Sequence, residues 1–188
     1  MSVDDFFARL IEALERSGVP YMVTGSYASS AHGTPRATND IDIVIAPTSN
    51  QLRALLKELP DDQYYADEID AFEALKYHSQ FNIIDFATSW KADLIVTKDR
   101  EFSRLEFSRR RVHSIGGARV YLTTAEDILL VKLEWHKMGE SERQLEDAAG
   151  VIRRQGAALD LGYVTRWVKE LDLDEQWQKA LALAERDN

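Results

Sequence analysis

Phe6, Phe7, Leu10, Ile11 and Leu14 recur three and four positions apart. That spacing makes one apolar stripe on a helix, and Ser2 is placed to cap it. Gly18 and Pro20 stop it. Tyr21 to Thr24 reads as a short buried strand, which Gly25 breaks. Ser26 to Ala31 is small and helix-compatible, and Gly33-Thr34-Pro35 ends that helix and opens a loop. From Asp40 to Ile45 acidic and apolar positions alternate with the period of a strand. Ser49 to Leu59 is helical and closed by Pro60, and Asp67 to Lys76 predicts another helix. Phe81 to Phe86 and Ala92 to Val96 are strand candidates joined by Thr88-Ser89-Trp90-Lys91, and Arg100 to Ser108 is a short polar helix. Arg111 to Ile115 and Arg119 to Leu122 flank Gly116-Gly117, a hairpin signal.

From Thr124 onward the pattern is helical throughout. Thr124 caps Ala125 to Met138, ended by Gly139, and Ser141 caps Glu142 to Gln155, ended by Gly156. Asp160 and Asp174 cap two more helices. Trp135, Trp167 and Trp177 fall at core spacing. The fold class expected is α+β (an α/β mixed sheet), with a first domain over residues 1–122 and a C-terminal helical subdomain over 123–188 packed on it. No internal repeat, linker or low-complexity segment interrupts the chain.

The 188 residues can bury a core without staples, and with no cysteine neither disulfides nor thiolate metal sites are available. The acidic start Met1-Ser2-Val3-Asp4-Asp5 is unlike a signal peptide, and no apolar run approaches membrane-spanning length. A cytoplasmic protein without membrane contact is the expectation. A net charge of −9 argues against a general nucleic-acid coat. It leaves room for carboxylates gathered around cations, and for an RNA end held at a local basic patch. Arg109-Arg110-Arg111 with Arg104 is the one basic cluster; such runs are usually solvated faces.

The chemistry concentrates between residues 23 and 45. Positions i and i+2 of a strand share a face, with Cα atoms roughly 6.5–7 Å apart. Asp40 and Asp42 therefore point the same way, while Ile41, Ile43 and Ile45 point to the core. Two carboxylates so close repel each other, and a divalent cation removes that repulsion. Mg²⁺ favours a few carboxylates completed by substrate phosphate oxygens. An edge strand with two solvated acids is the bland alternative. Gly25-Ser26 lies at a strand-to-helix junction. Glycine there allows close backbone approach, and the serine hydroxyl and helix-start N–H groups suit a phosphate. The alternative is an ordinary turn with a serine cap. The run is neither a P-loop, which needs Gly-Lys-Ser/Thr, nor a dinucleotide fingerprint, whose second glycine is missing. The four histidines show no zinc spacing.

In this order, with thirteen residues between Ser26 and Asp40, the two pieces resemble the hallmark of the nucleotidyltransferase superfamily related to DNA polymerase beta. Arg36-Ala37-Thr38-Asn39-Asp40-Ile41-Asp42 is similar to the Arg-x-Thr-x-Asp-x-Asp run of the branch near minimal nucleotidyltransferases and AbiEii-type toxins. The resemblance covers about residues 15 to 138. It implies a third acid on a later strand, with Asp85 and Asp93 as candidates. Asp93 is preferred, because it interrupts an apolar strand within Lys91-Ala92-Asp93-Leu94-Ile95-Val96.

The resemblance further implies a nucleotidyltransferase-like fold and an enzyme that moves a nucleoside monophosphate from a nucleoside triphosphate to a hydroxyl. The acceptor is an RNA 3′ end, a protein or a small molecule. Asp40, Asp42 and Asp93 would be catalytic and bind metal, Mg²⁺ or Mn²⁺. Gly25 and Ser26 would grip the phosphates, joined by Arg36 and by Lys132 of the Thr124–Leu133 helix. For Arg36 the alternative is an exposed loop side chain. For Lys132 it is snorkelling to solvent. Arg143 and Asp147, four apart, are read as a helix surface pair. A toxin silenced by an antitoxin protein falls within this reading, and a homo-oligomer is open. The alternative from another class is a nucleotide-binding or protein-interaction module without turnover.

Overall fold

The structure, a computed structural model, describes residues 3–38, 40–115 and 118–186. Helix α1 (Val3–Arg16) leads into β1 (Tyr21–Val23), α2 (Gly25–His32) and β2 (Asp40–Ile45). Next come α3 (Ser49–Lys57), β3 (Tyr64–Tyr65), α4 (Glu68–Tyr77), β4 (Gln80–Asp85) and β5 (Lys91–Val96). Helix α5 (Glu101–Arg109) precedes the hairpin strands β6 (Arg111–Ile115) and β7 (Ala118–Leu122). Four α-helices follow: α6 (Ala125–Gly139), α7 (Glu142–Gln155), α8 (Leu161–Glu170) and α9 (Asp174–Arg186), with a 3-10 turn at Gly156–Ala158.

The chain forms two compact units. The first comprises Met1–Thr24 and Thr38–Leu122, the second Gly25–Ala37 and Thr123–Asn188. Residues 25–37, assigned with the sheet on sequence order, thus belong with the helices. Their α2 packs on α6 and α7.

Among the described residues, the seven strands lie in the first unit, in the order β3-β4-β5-β2-β1-β7-β6. The sheet is mixed. β2 runs parallel to β5 and β1 parallel to β7, while the remaining neighbours are antiparallel. Ile41, Ile43 and Ile45 of β2 and Ala92, Leu94 and Val96 of β5 are buried on one face. The residues between them turn to the other face, as the two-residue pleat requires. α1 packs on α3, α3 on α4, and α4 on β4 and β5. Phe6, Leu10, Leu14, Leu52 and Leu55 fill this core, each at most 1% exposed.

Local signals explain most boundaries. Asp67, Thr124 and Asp160 each accept a hydrogen bond from the backbone N–H three residues on, as N-caps do. Thr48 and Gln51 form a reciprocal capping box at α3. Some expectations fail. β3 went unread. Gly139 is the last residue of α6, and Glu140 takes the left-handed cap conformation, φ 48°. Ser141 precedes α7 without a side-chain cap bond, and Asp174 is the first residue of its helix. Trp167 and Trp177 are buried, but Trp135 is 48% exposed and is no core residue. Ser2 and the Gly116-Gly117 turn lie outside the described residues. Among the described residues, no helix is long and apolar enough to cross a membrane.

Candidate active site

The register of β2 against β5 sets the acidic centre. Asp42 lies directly across from Asp93, and Asp40 across from Lys91. Paired strands run roughly 5 Å apart, so the carboxylates that share the outer face are brought together across two strands. Asp40 is 55% exposed and Asp93 13%. The Lys91 ammonium lies 3.0 Å from Asp93 Oδ2 and 4.0 Å from Asp40 Oδ1. Its hydrogen bond to Asp93, despite partial burial, and the field of all three aspartates hold its pKa above the ordinary lysine value. Asp93 Oδ1 is buried and has no hydrogen-bond partner among the described residues. The Thr24 N–H, at the end of β1, donates to the Asp42 carbonyl at 2.9 Å. Thr38 Oγ1 accepts the Asp40 N–H at 3.3 Å and so steadies the entry to β2.

Among the described residues, no three His, Asp or Glu side chains are gathered as a ready-made metal cage. The donor set nevertheless suits a hard cation. It offers carboxylate oxygens only, one of them buried and unpartnered, with a lysine ammonium between two of the acids where positive charge is favoured.

The rival third acid is committed elsewhere. Asp85 is 1% exposed. It accepts from Arg9 Nη2 at 2.7 Å, from the Thr88 N–H at 3.0 Å and from the Thr88 hydroxyl at 2.5 Å. Arg9 Nε also donates to the Tyr64 hydroxyl at 2.7 Å. These bonds tie α1, β3 and the β4–β5 turn together.

The helical unit carries a second cluster. Gly25 opens α2 with φ 61°, a conformation that costs other residues strain. The Ser26 hydroxyl accepts from Arg36 Nη2. Arg36 also grips Asp147 with two donors, Nε to Oδ1 at 2.9 Å and Nη2 to Oδ2 at 3.2 Å. Lys132 Nζ lies 2.8 Å from Asp147 Oδ2, and both side chains are nearly inaccessible. Burial, the largest influence on Asp147, works to raise its pKa. The hydrogen bonds and charges of Arg36 and Lys132 outweigh it and hold the carboxyl below its ordinary value.

Both alternative readings are thereby corrected. Arg36 is not an exposed loop side chain, at 24% exposure, and Lys132 does not snorkel. Asp147 is the residue that sequence reasoning missed: it pairs with these two and not with the exposed Arg143. Its signal was a carboxylate followed directly by Ala148-Ala149-Gly150-Val151, on the side of α7 that packs.

No protein-family model matches the chain, and no curated protein matches it. Solved structures do. The antibiotic-resistance factor ANT(2'')-Ia superposes with TM-score 0.58 at 14% identity, over 98% of this chain and 95% of that one. An antigenic nucleotidyltransferase-like protein from Paracoccidioides brasiliensis gives TM-score 0.55 at 18% identity, over 94% and 92%. The lincosamide antibiotic adenylyltransferase LnuA, lincomycin-bound, gives 0.53 at 12% identity, over 80% and 96%. At these identities the likeness speaks to architecture, and it spans nearly the whole of each partner. The mixed sheet and the helices after it give this chain the nucleotidyltransferase fold.

Proposed function

We propose that the protein is a metal-dependent nucleotidyltransferase that moves a nucleoside monophosphate from a nucleoside triphosphate to a hydroxyl acceptor. The observation that carries this reading is the β2–β5 register, which sets Asp93 across from Asp42 on the face that Asp40 shares. Lys91, 3.0 Å from Asp93 and 4.0 Å from Asp40, offsets part of the repulsion among three carboxylates on one patch of sheet, and a divalent cation would offset more.

Asp40, Asp42 and Asp93 are the residues to hold Mg²⁺ or Mn²⁺. When bound, the metal lowers the pKa of the acceptor hydroxyl and neutralises charge on the triphosphate. In the overall reaction the acceptor hydroxyl gives up its proton to solvent and its oxygen bonds to the α-phosphorus. The bond from that phosphorus to the bridging oxygen breaks, and pyrophosphate leaves with the electron pair. Lys91 supplies positive charge beside Asp93 and Asp40 before the nucleotide arrives. The sequence resemblance supports Gly25 and Ser26 as the residues for the β and γ phosphates, with positive charge from Arg36 and Lys132. Asp147 keeps those two cations oriented. The lincomycin-bound neighbour and the net charge of −9 favour a small-molecule acceptor over RNA.

Release of labelled pyrophosphate tests the reading, with each of the four nucleoside triphosphates, with and without Mg²⁺. Small-molecule, RNA and protein acceptors form separate arms. The wild-type protein is expected to turn over only with metal. Asp93→Asn is expected to abolish turnover while its melting temperature stays within a few degrees of wild type. Full activity in that variant removes Asp93 from the site. Metal-dependent nucleotide binding by calorimetry, without turnover in any arm, favours a binding module instead.

A further inference from the structure

We propose that the cleft between α4 and the open half of β4 takes an extended, basic peptide segment of a partner protein as an added edge strand. This surface is independent of the nucleotidyl-transfer reading. At this end of the sheet β3 contributes only Tyr64 and Tyr65, paired with Asp85 and Ile84. Among the described residues, Gln80 to Ile83 therefore have a strand neighbour, β5, on one side only.

The direction of their backbone groups follows from two bonds. The Val96 N–H donates to the Ser79 carbonyl, and the Asp85 N–H donates to the Trp90 carbonyl. Odd-numbered residues of this strand thus turn toward β5. Alternation along an antiparallel strand then aims the N–H and C=O of Gln80 and Asn82 at the open edge. Such an edge is a template for another strand unless proline, charge or a bulge blunts it. The run Ser79-Gln80-Phe81-Asn82-Ile83 contains no proline and no charged residue.

Alongside this edge lies a cleft of about 200 Å³, lined by Tyr65, Asp70, Glu73, Gln80 and Asn82 among others. A helix beside an open strand is the geometry of recognition by strand addition, in which backbone bonds give affinity and alternate side chains give specificity. The charge identifies the occupant. Between Lys57 and Lys76 the chain carries seven acids and no basic residue. Asp70 and Glu73 are exposed, and neither forms an ion pair among the described residues. Ile69, four residues before Glu73 and 72% exposed, offers apolar contact on the same helix face, while Tyr77, four residues after it, carries the Lys76 ammonium 4.7 Å from its ring centroid.

A second copy paired through the same edge would set acid against acid, which like-charge repulsion opposes. A second copy offering its β6 edge would make a head-to-tail contact, which builds rings or filaments instead of the commoner two-fold dimer. A basic segment of a different protein meets neither objection.

The test uses the full chain and a fluorescein-labelled peptide alternating lysine with valine, with its glutamate–valine counterpart as control. Fluorescence anisotropy is expected to show salt-sensitive binding of the basic peptide only. Amide hydrogen exchange is expected to slow at Gln80 and Asn82. Asp70→Lys with Glu73→Lys is expected to weaken binding by about tenfold. Gln80→Pro, tolerated at the first position of a strand, removes an edge donor and is expected to weaken binding as well. Absence of binding, equal binding of both peptides, protection of other amides, or affinity unchanged by the double reversal overturns the proposal. So does concentration-dependent self-association that Arg111→Glu abolishes, because it assigns the edge to a second copy. Should the proline variant fail to fold, the charge reversal decides alone.

Discussion

At the scale of residues, the burial of Asp147 has the sharpest consequences. Asp147→Asn removes the buried carboxylate that Arg36 and Lys132 share. Such a loss costs about 3 kcal/mol, to be read as a shift of the urea midpoint at neutral pH. The pH dependence has a definite sign. The folded carboxyl ionises below the ordinary 3.8, so its stabilisation is complete above that value and disappears as pH falls through the folded value. The difference between wild type and Asp147→Asn is therefore expected to shrink on acidification; a constant difference would show that the ion pairs do not carry it. Lys91 yields a second expectation. Its ammonium occupies the approach of a cation to Asp93 and Asp40, so Lys91→Ala should lower the Mg²⁺ concentration needed for half-maximal pyrophosphate release. An unchanged requirement would remove Lys91 as a competitor. Legibility differed between these acids. Asp93 was visible because a carboxylate interrupts an apolar strand. Asp147 was not, because Arg143 four residues earlier offered a sufficient local partner, and Arg36 lies 111 positions away.

At the scale of elements, α2 meets α7 through backbone. A Cβ on Gly33 would stand 2.7 Å from the Val151 nitrogen and 2.8 Å from the Gly150 carbonyl carbon. No rotamer can relieve a clash with backbone, so the helix end must shift. Gly33→Ala is expected to cost about 2 kcal/mol and to lower the melting temperature, whereas Gly139→Ala, with nothing within 4 Å, should leave it unchanged or higher. Equal melting temperatures for the two variants would refute the close approach. Helices and strands of five residues or more were readable from periodicity and caps, since both depend on neighbours within a few positions. β3 was not, because two residues carry no period. The left-handed cap at Glu140 escaped because glycine at 139 offered the commoner stop.

At the scale of the whole molecule, the expected response is to nucleotide. A ligand that binds only the folded protein stabilises it by about 3 kcal/mol at roughly a hundred times its dissociation constant. Nucleoside triphosphate with Mg²⁺ is therefore expected to raise the wild-type melting temperature, and to raise it far less without metal or in Asp93→Asn. An equal rise in all three cases would place nucleotide binding away from the three acids. Sequence alone determined the longer elements, the shared face of Asp40 and Asp42, and the resemblance that named the fold. Each rests on spacings the chain carries locally, fixed by the pleat of a strand or the turn of a helix. Tertiary structure decided which strand lies beside β2, that residues 25–37 join the later helices, and which carboxylate holds Arg36 and Lys132. Those outcomes depend on groups far apart in sequence competing for the same neighbours, and no local pattern records who wins that competition.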